Sequence, residues 1–367
     1  VELVRIAIVS ESFLPHVNGV TNSVKRITRY LHRRGDEVLI IAPDDGPVSY
    51  DGARVVRVPA VDFPLIDSLP VGWPTMRMHR LLHDFAPDVV HLASPFFLGW
   101  RAASVARRLD IPVLAVYQTD VAGYAPMYNL GFLTGPAWVW IRKTHRLAAR
   151  TLAPSTATAR TLRENGVPRV ELWPRGVDQE TFHPRHRSAG LRSRLAPNGE
   201  LLVGFVGRLA REKAAQRLAP LAGVPGVRLV LIGDGPDRAK LERQLPGAVF
   251  LGQLTGPELA TAYASLDVFV HTGIHETFCQ TVQEAFASGV PAIAPDIGGP
   301  RDLIEHGVTG YLLDDEEFAS QLPKVVHELT DARVRAGFAE RARASVRPRT
   351  WDAVCARLVE HYTEITR

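Results

Sequence analysis

Cysteine is nearly absent: Cys279 and Cys355 are the only two among 367 residues, and nothing in their spacing pairs them. That argues against a disulfide framework and against a cysteine-based metal site. Long apolar runs are missing too, since no stretch reaches the ~20 residues that a membrane span needs. The opening "VELVRIAIVSESFLP" is too short and too acidic for a signal peptide. A cytosolic chain is expected. No low-complexity segment and no repeat of ~20–50 residues is evident, so neither disorder nor a repeat array is indicated. A strong excess of one charge is also lacking. The formal net charge is +4, with 21 Lys+Arg against 16 Asp+Glu in residues 1–178 and a net −1 in the remainder. The basic half suits an anionic lipid surface or nucleic acid, and a scattered solvated surface is the simpler reading until those charges are shown to cluster.

What is present is enough chain for two domains, each with its own core. "VRIAIVSESFLPHVNGVTNSVKRITRYLHRRGDEVLIIAP" reads as strand, loop, helix and strand, with an apolar run at Arg5–Val9, an amphipathic segment from Val20 to Arg34 stopped by Gly35, and a second run at Val38–Ala42. "PDVVHLAS", "IPVLAVYQTD" and "TLAPS" continue the β-branched strands of a buried parallel sheet. The pattern restarts with "LLVGFVGRLAREK", "VRLVLIGDG", "AVFLGQL", "LDVFVHTG" and "VPAIAPDIGG". Between the two series, "WPRGVDQETFHPRHRSAGLRSRLAPNG" has the Pro, Gly and Arg content of a domain connection. Two doubly wound α/β domains are expected, with ligands beyond the C-terminal strand ends and in a cleft between facing domains.

The strand-end loops carry the candidate chemistry. In "GFVGRLAREK", Gly207 closes a strand, Arg208 follows it, and Lys213 lies near a helix start, so two cations beside helical N–H groups would suit a diphosphate. An ordinary surface Arg and Lys near a turn is the plain alternative. "VLIGDGPDRAKL" has Gly233 and Gly235, but Arg238 stands where a dinucleotide fingerprint needs its third glycine. Gly19, before a helix N-terminus, would let phosphate oxygens approach backbone N–H groups, and turn chemistry explains Asn18-Gly19 equally well. In "VHTGIHETFCQTVQEAFASGVPAIAP", Glu276 is read at the mouth of a helix and Glu284 eight residues along it. Helix geometry then separates the carboxylates by ~12 Å and ~80°, too far to share a proton. Glu276, with the backbone N–H groups of Thr277, Phe278 and Cys279, would meet a sugar or phosphate, while Glu284 would accept from a second pair of hydroxyls. A diphosphate between two hydroxylated ends describes a nucleotide-sugar. A dipole-favoured glutamate and a solvated one account for the same spacing.

"HETFCQTVQEAFASGVPAI", with "VGRLAREK", "GDGP", "GQL" and "APDIGGPRDLI" in order around it, resembles the E-x7-E region of retaining glycosyltransferases of the GT-B fold, family 4. The likeness runs from "SESFLPHVNGV" to the Trp351–Arg367 stretch. More narrowly, "VYQTDVAGYA", "LAPSTAT", "PRGVD" and "HETFCQTVQEA" are similar to the GDP-mannose-dependent lipid mannosyltransferases of actinobacteria. The resemblance implies two Rossmann-like domains. Residues 1–175 form the acceptor side, with a C-terminal helix 351–367 crossing back onto it, and residues 176–350 bind the nucleotide-sugar. It implies that Arg208 and Lys213 neutralise the donor diphosphate, Glu276 holds sugar hydroxyls and Glu284 the ribose. Gly19 would lie against the phosphates, and the backbone of Gly252, Gln253 and Leu254 would meet the base. Relatives often carry His in the motif written here as "YQTD", where Gln118 and Asp120 both remain open, and a proton-handling role would fall to Asp120.

The implied reaction moves a hexose, mannose from GDP-mannose, to a membrane glycolipid with retention. No D-x-D motif ends a strand and Asp44-Asp45 and Asp314-Asp315 read as turn residues, so no metal and no cofactor is expected. Cations would stabilise the leaving diphosphate instead. For the acceptor and an anionic membrane surface, "PAWVWIRKTHRLAAR" places Trp138, Trp140, Arg142, Lys143, His145 and Arg146 on one helical stretch, Tyr124 precedes it, and Arg77 and Arg80 add charge. Trp138 and Ile141 at i, i+3 read equally as a core face. A peripheral enzyme at the inner face of the plasma membrane is expected, with no nucleic-acid partner. The other readings are a UDP-sugar donor or a soluble acceptor, a GT-B nucleotide-sugar 2-epimerase, a dinucleotide oxidoreductase, and a non-catalytic nucleotide-sugar-binding protein.

Overall fold

A computed structural model describes residues 3–16, 18–43, 45–62, 70–72, 77–120, 131 and 134–367. The chain divides into two compact units, Val1–Arg175 with Trp351–Arg367, and Gly176–Thr350. In the first, strands β1 (Arg5–Val9), β2 (Glu37–Pro43), β3 (Ser49–Tyr50), β4 (Ala53–Val58), β7 (Val89–Leu92), β8 (Val113–Val116), β9 (Arg150–Ala153) and β10 (Val170–Leu172) form one sheet in the order β10-β9-β8-β7-β1-β2-β4-β3; β5 (Ala60–Asp62) and β6 (Pro70–Gly72) pair apart. All pairs of the large sheet are parallel except β3–β4. The central strands β1, β2, β7 and β8 are buried along nearly their whole length because both faces are covered, whereas β3, β4 and β10 carry exposed residues. Ile6 and Ile8 of β1 join a cluster with Val24, Ile27 and Leu31, whereas Ala7 and Val9 join one with Met78, Leu82 and Leu98.

Helix α1 (Gly19–Arg34) shows how local sequence sets an element. The Asn18 side chain accepts from Thr21 N–H, Val24, Ile27 and Leu31 make a buried stripe, and Gly35 caps the end at φ 91°. The helix Trp351–Thr366 packs on this same unit. The Trp173 indole N–H donates to Val354 O at 2.9 Å, and Tyr362 Oη lies 2.7 Å from His91 Nδ1 inside the core.

The second unit has β11 (Leu201–Val206), β12 (Val227–Ile232), β13 (Val249–Gly252), β14 (Val268–Val270), β15 (Ala292–Pro295) and β16 (Gly310–Leu313), all parallel in the order β13-β12-β11-β14-β15-β16. Strand order reverses between β11 and β14, and in the first sheet between β1 and β7, so each unit has a crevice-forming switch point. Strands β3, β4, β10 and β16 go beyond the sequence reading, which lacked a long apolar run at any of them. The Arg-rich segment read as a connection is largely built into the second unit. Arg187 and Arg192 reach the buried Asp267 carboxylate at 2.9 and 3.0 Å, and Asp267 also accepts from Leu202 N–H. Among the described residues no helix is long and apolar enough to cross a membrane.

Candidate functional site

At the switch point of the second unit, the loop after β11 carries Arg208 and Lys213, and the loop after β14 carries His271 to Cys279. Lys213 Nζ lies 2.5 Å from Glu276 Oε1. His271 Nε2 is 2.9 Å from Gly273 O and 4.0 Å from the same Glu276 oxygen. The Thr272 hydroxyl donates to Lys213 O at 2.6 Å. Burial lowers the His271 pKa to about 4, a shift the Glu276 charge opposes and the Lys213 charge reinforces. Arg208 stays half exposed, with Nη1 4.0 Å from Glu212 Oε1.

One sequence expectation is corrected here. Helix α9 (Gln280–Ala287) starts at Gln280, four residues beyond Glu276, so the two carboxylates do not share a helix and the separation derived from helical rise does not apply (α6 being Ala189–Leu195, α7 Arg238–Gln244 and α8 Gly256–Ser265). The reason is tertiary. Cys279 turns left-handed at φ 75°, Gly299 N–H donates to Glu276 O at 2.9 Å, and a Cβ on Gly299 would sit 2.4 Å from Phe278 O. Backbone packing from the next strand end therefore holds residues 276–279 as a loop. Lys213 does stand near a helix start, as expected: it ends the short 3-10 turn Arg211–Lys213, and Ala214 at φ 50° leads into a second 3-10 helix, Ala215–Leu221. Phe278 and Cys279 are buried, and burial first, then the Glu276 charge, pushes the Cys279 thiol up to about 12.

Glu284 lies on α9 and accepts from the buried Tyr263 hydroxyl at 3.1 Å. Gly252 sits at φ 73° with its carbonyl taken by Gly233 N–H at 2.8 Å, Gln253 is exposed and Leu254 packs on the core. A Cβ at Gly233 would lie 1.9 Å from Gly207 O, and one at Gly235 2.3 Å from Leu209 O. These glycines bring the β12 loop against the backbone that carries Arg208. Asp314 caps its turn through Glu316 N–H at 2.9 Å, while Asp315 pairs with Arg217 at 2.7 Å.

In the first unit, Gln118 is buried at the end of β8. Its Nε2 donates to Ala93 O at 2.9 Å and its Oε1 accepts from Arg175 Nη2 at 2.5 Å, whereas Asp120 accepts from the Tyr117 hydroxyl at 3.1 Å. Arg175, 8% exposed, also reaches Gly19 O at 3.4 Å, and a Cβ on Gly19 would come within 2.9 Å of its Nη1. Sequence reading missed this neighbour of Gly19, along with the buried Glu11, whose Oε1 accepts from Gly99 N–H at 3.1 Å across the β1/β7 switch point. The signal available was position alone: polar residues directly after apolar strands.

Tyr124 lies outside the described residues. Helix α4 (Thr134–His145) carries Trp138, Trp140, Arg142, Lys143 and His145, and Arg146 follows directly, its N–H donating to Arg142 O at 2.9 Å (α2 being Arg77–Phe85 and α3 Phe97–Arg108). Trp138 is half-buried against the cluster of buried Ile141, and His145 is buried with Nδ1 3.0 Å from Thr151 Oγ1, which is the core-face reading. Lys143 lies over the rings of Trp100 and Trp140 at 5.1 and 5.7 Å, and Arg142 donates to Asn165 O at 3.2 Å. Trp138, Val139, Trp140, Arg142 and Lys143 line an open hollow of about 740 Å³.

Residues 17–181 match the family described as Glycosyltransferase Family 4, and residues 190–345 match Glycosyl transferases group 1. A GDP-mannose-dependent alpha-mannosyltransferase of Mycobacterium tuberculosis is 54% identical over 99% of this chain and 97% of its own length. A GDP-mannose-dependent alpha-(1-6)-phosphatidylinositol dimannoside mannosyltransferase of the same species is 43% identical over 36% of each chain. The Anabaena HepE protein, solved with UDP and glucose, superposes with a TM-score of 0.78 at 20% identity over 98% of this chain and 99% of its own, a likeness of fold alone. With two parallel-sheet Rossmann-like units, each carrying its own switch point, the chain has the GT-B fold and belongs to the family 4 glycosyltransferases, in the group of the GDP-mannose-dependent alpha-mannosyltransferases.

Proposed function

We propose that this enzyme transfers mannose from GDP-mannose, with retention, to a lipid-linked sugar acceptor. The observation that carries the reading is the Lys213–Glu276 contact at the β11/β14 switch point, which puts a cation and a carboxylate together, with the half-exposed Arg208 on the same loop as the lysine. A nucleotide-sugar needs both groups. Its diphosphate takes charge-assisted hydrogen bonds from Arg208 and Lys213, and its sugar hydroxyls donate to Glu276. As the glycosidic bond breaks, negative charge grows on the leaving diphosphate, and preorganised cations stabilise that growth. Attack by the acceptor on the face the donor leaves would retain configuration. Glu284, already receiving the Tyr263 hydroxyl, is the ribose anchor, and Gly252–Leu254 edge the base. Cationic groups doing this work make the reaction independent of divalent metal, and turnover unaffected by EDTA is the expected result; restoration by Mg²⁺ after EDTA inhibition would contradict it.

The lipid acceptor is supported by the name of the phosphatidylinositol dimannoside mannosyltransferase relative and by the α3/α4 surface. There Phe97 is 41% and Val139 57% exposed, and Lys143 stands over Trp100 and Trp140. Aromatic edges with a cation suit an anionic bilayer surface and support peripheral attachment to one, for which the cytoplasmic face is our reading. Replacing Arg208 and Lys213 together by alanine is expected to lower transfer from GDP-mannose at least ~100-fold, by loss of two groups worth a few kcal/mol each. Unaltered donor affinity and rate in that variant would remove the proposal.

A further inference from the structure

We propose that Thr272 is a positioning residue for Lys213, setting the cation that grips the donor through a hydroxyl that never touches it. The proposal rests on the donor reading given above. Thr272 is fully buried, and its hydroxyl donates to the Lys213 backbone carbonyl at 2.6 Å. That carbonyl needs an anchor because the turn bearing it is short. Its backbone support is the Lys213 N–H bond to Ala210 O at 3.0 Å, and the next residue, Ala214, sits at φ 50°, where a residue with a Cβ is held only if its surroundings insist.

Thr272 is itself held from the other side. Arg217 Nη1 donates to Thr272 O at 3.3 Å while Arg217 pairs with Asp315 at 2.7 Å and lies over the Phe318 ring at 4.3 Å. A side chain branched at Cβ has few χ1 choices, so a fixed Thr272 backbone aims its hydroxyl in one direction. One residue earlier His271, and four residues later Glu276, belong to the same loop, and Glu276 meets the Lys213 ammonium group. The loop after β14 therefore grips Lys213 twice, at the main chain through Thr272 and at the side chain through Glu276. A bound diphosphate competes for the second grip and leaves the first intact, so the hydroxyl keeps the lysine in register when the carboxylate turns to the sugar.

The test is a double-mutant cycle on the whole chain, reading GDP-mannose Kd and the KM and kcat of transfer. Thr272→Val, which keeps shape and deletes the donor, is expected to weaken GDP-mannose about tenfold, the value of one buried hydrogen bond. Thr272→Ser is expected to recover most of that loss. In a Lys213→Ala background, Thr272→Val should add less than about twofold, because the group it positions is gone. Wild-type affinity in Thr272→Val, or an undiminished tenfold loss in the Lys213→Ala background, overturns the proposal. If Lys213→Ala alone leaves donor affinity unaltered, the donor reading itself fails, whereas an impaired Lys213→Ala beside a silent Thr272→Val sinks only the role of Thr272. Should Thr272→Val not fold, Thr272→Ala against Thr272→Ser makes the same comparison.

Discussion

At the residue scale, glycines and cysteines show how identical letters serve different ends. Gly233 has φ 137° and no room for a Cβ, which would meet Gly207 O at 1.9 Å. The G-D-G of this chain is thus a close approach of two backbones and not a cofactor fingerprint. Gly233→Ala is expected to destabilise the second unit by about 3 kcal/mol or more, read from urea unfolding, since strained backbone and a main-chain clash add. The two cysteines are free and buried, and burial pushes each thiol up to about 12. A thiol that stays protonated is a poor nucleophile. Iodoacetamide at pH 8 should therefore leave Cys279 and Cys355 unmodified in the native chain and label both after denaturation, as mass spectrometry would show.

At the element scale, the C-terminal helix Trp351–Thr366 contributes to the first core through Leu358 and Tyr362. Tyr362 Oη meets His91 Nδ1 at 2.7 Å where no water reaches, and burial holds the His91 pKa down to about 3, so the imidazole is neutral. Tyr362→Phe strips that nitrogen of its partner. A loss of about 1–3 kcal/mol is expected, the cost of an unsatisfied buried group, measured by thermal or denaturant unfolding. The loop Glu276–Cys279 depends on a different element, the turn Gly298–Gly299 after β15, whose missing side chains admit the Glu276 and Phe278 carbonyls. Gly299→Ala is expected to displace that loop, raising the donor KM and lowering the melting temperature together, since every atom in the way is main chain.

For the whole molecule, acid stability follows from histidines buried in both units. His145 and His271 have pKa values lowered to about 4 and His91 to about 3, in each case by burial. An unfolded histidine titrates near ~6.5, so below that pH the unfolded chain binds more protons than the native one. The neutral-state stability is complete above pH ~6.5 and is lost as pH falls towards 4. A loss on the order of a few kcal/mol per histidine is expected between these limits, with the urea midpoint falling as pH is lowered from 7 to 4.5. A flat midpoint over that range would contradict neutral burial.

The sequence by itself determined the two series of apolar strands, the span and caps of α1, and the set of charged residues at strand ends, because periodicity, caps and strand-end polarity are local properties. Lys213 and Glu276 were legible as separate candidates, and the group to which the chain belongs was legible in the spelling around them. Only the tertiary structure decided that they touch, that α9 begins at Gln280, and that Gln118 meets Arg175. It also decided that Trp138 faces a core. Each of these depends on partners distant in the chain: Gly299 for the loop, Thr272 for Lys213, and Arg175 for Gly19. Local spacing records which groups a segment offers. Which groups meet is settled by the packing of segments distant in the chain, which sets the partners each buried polar group can reach.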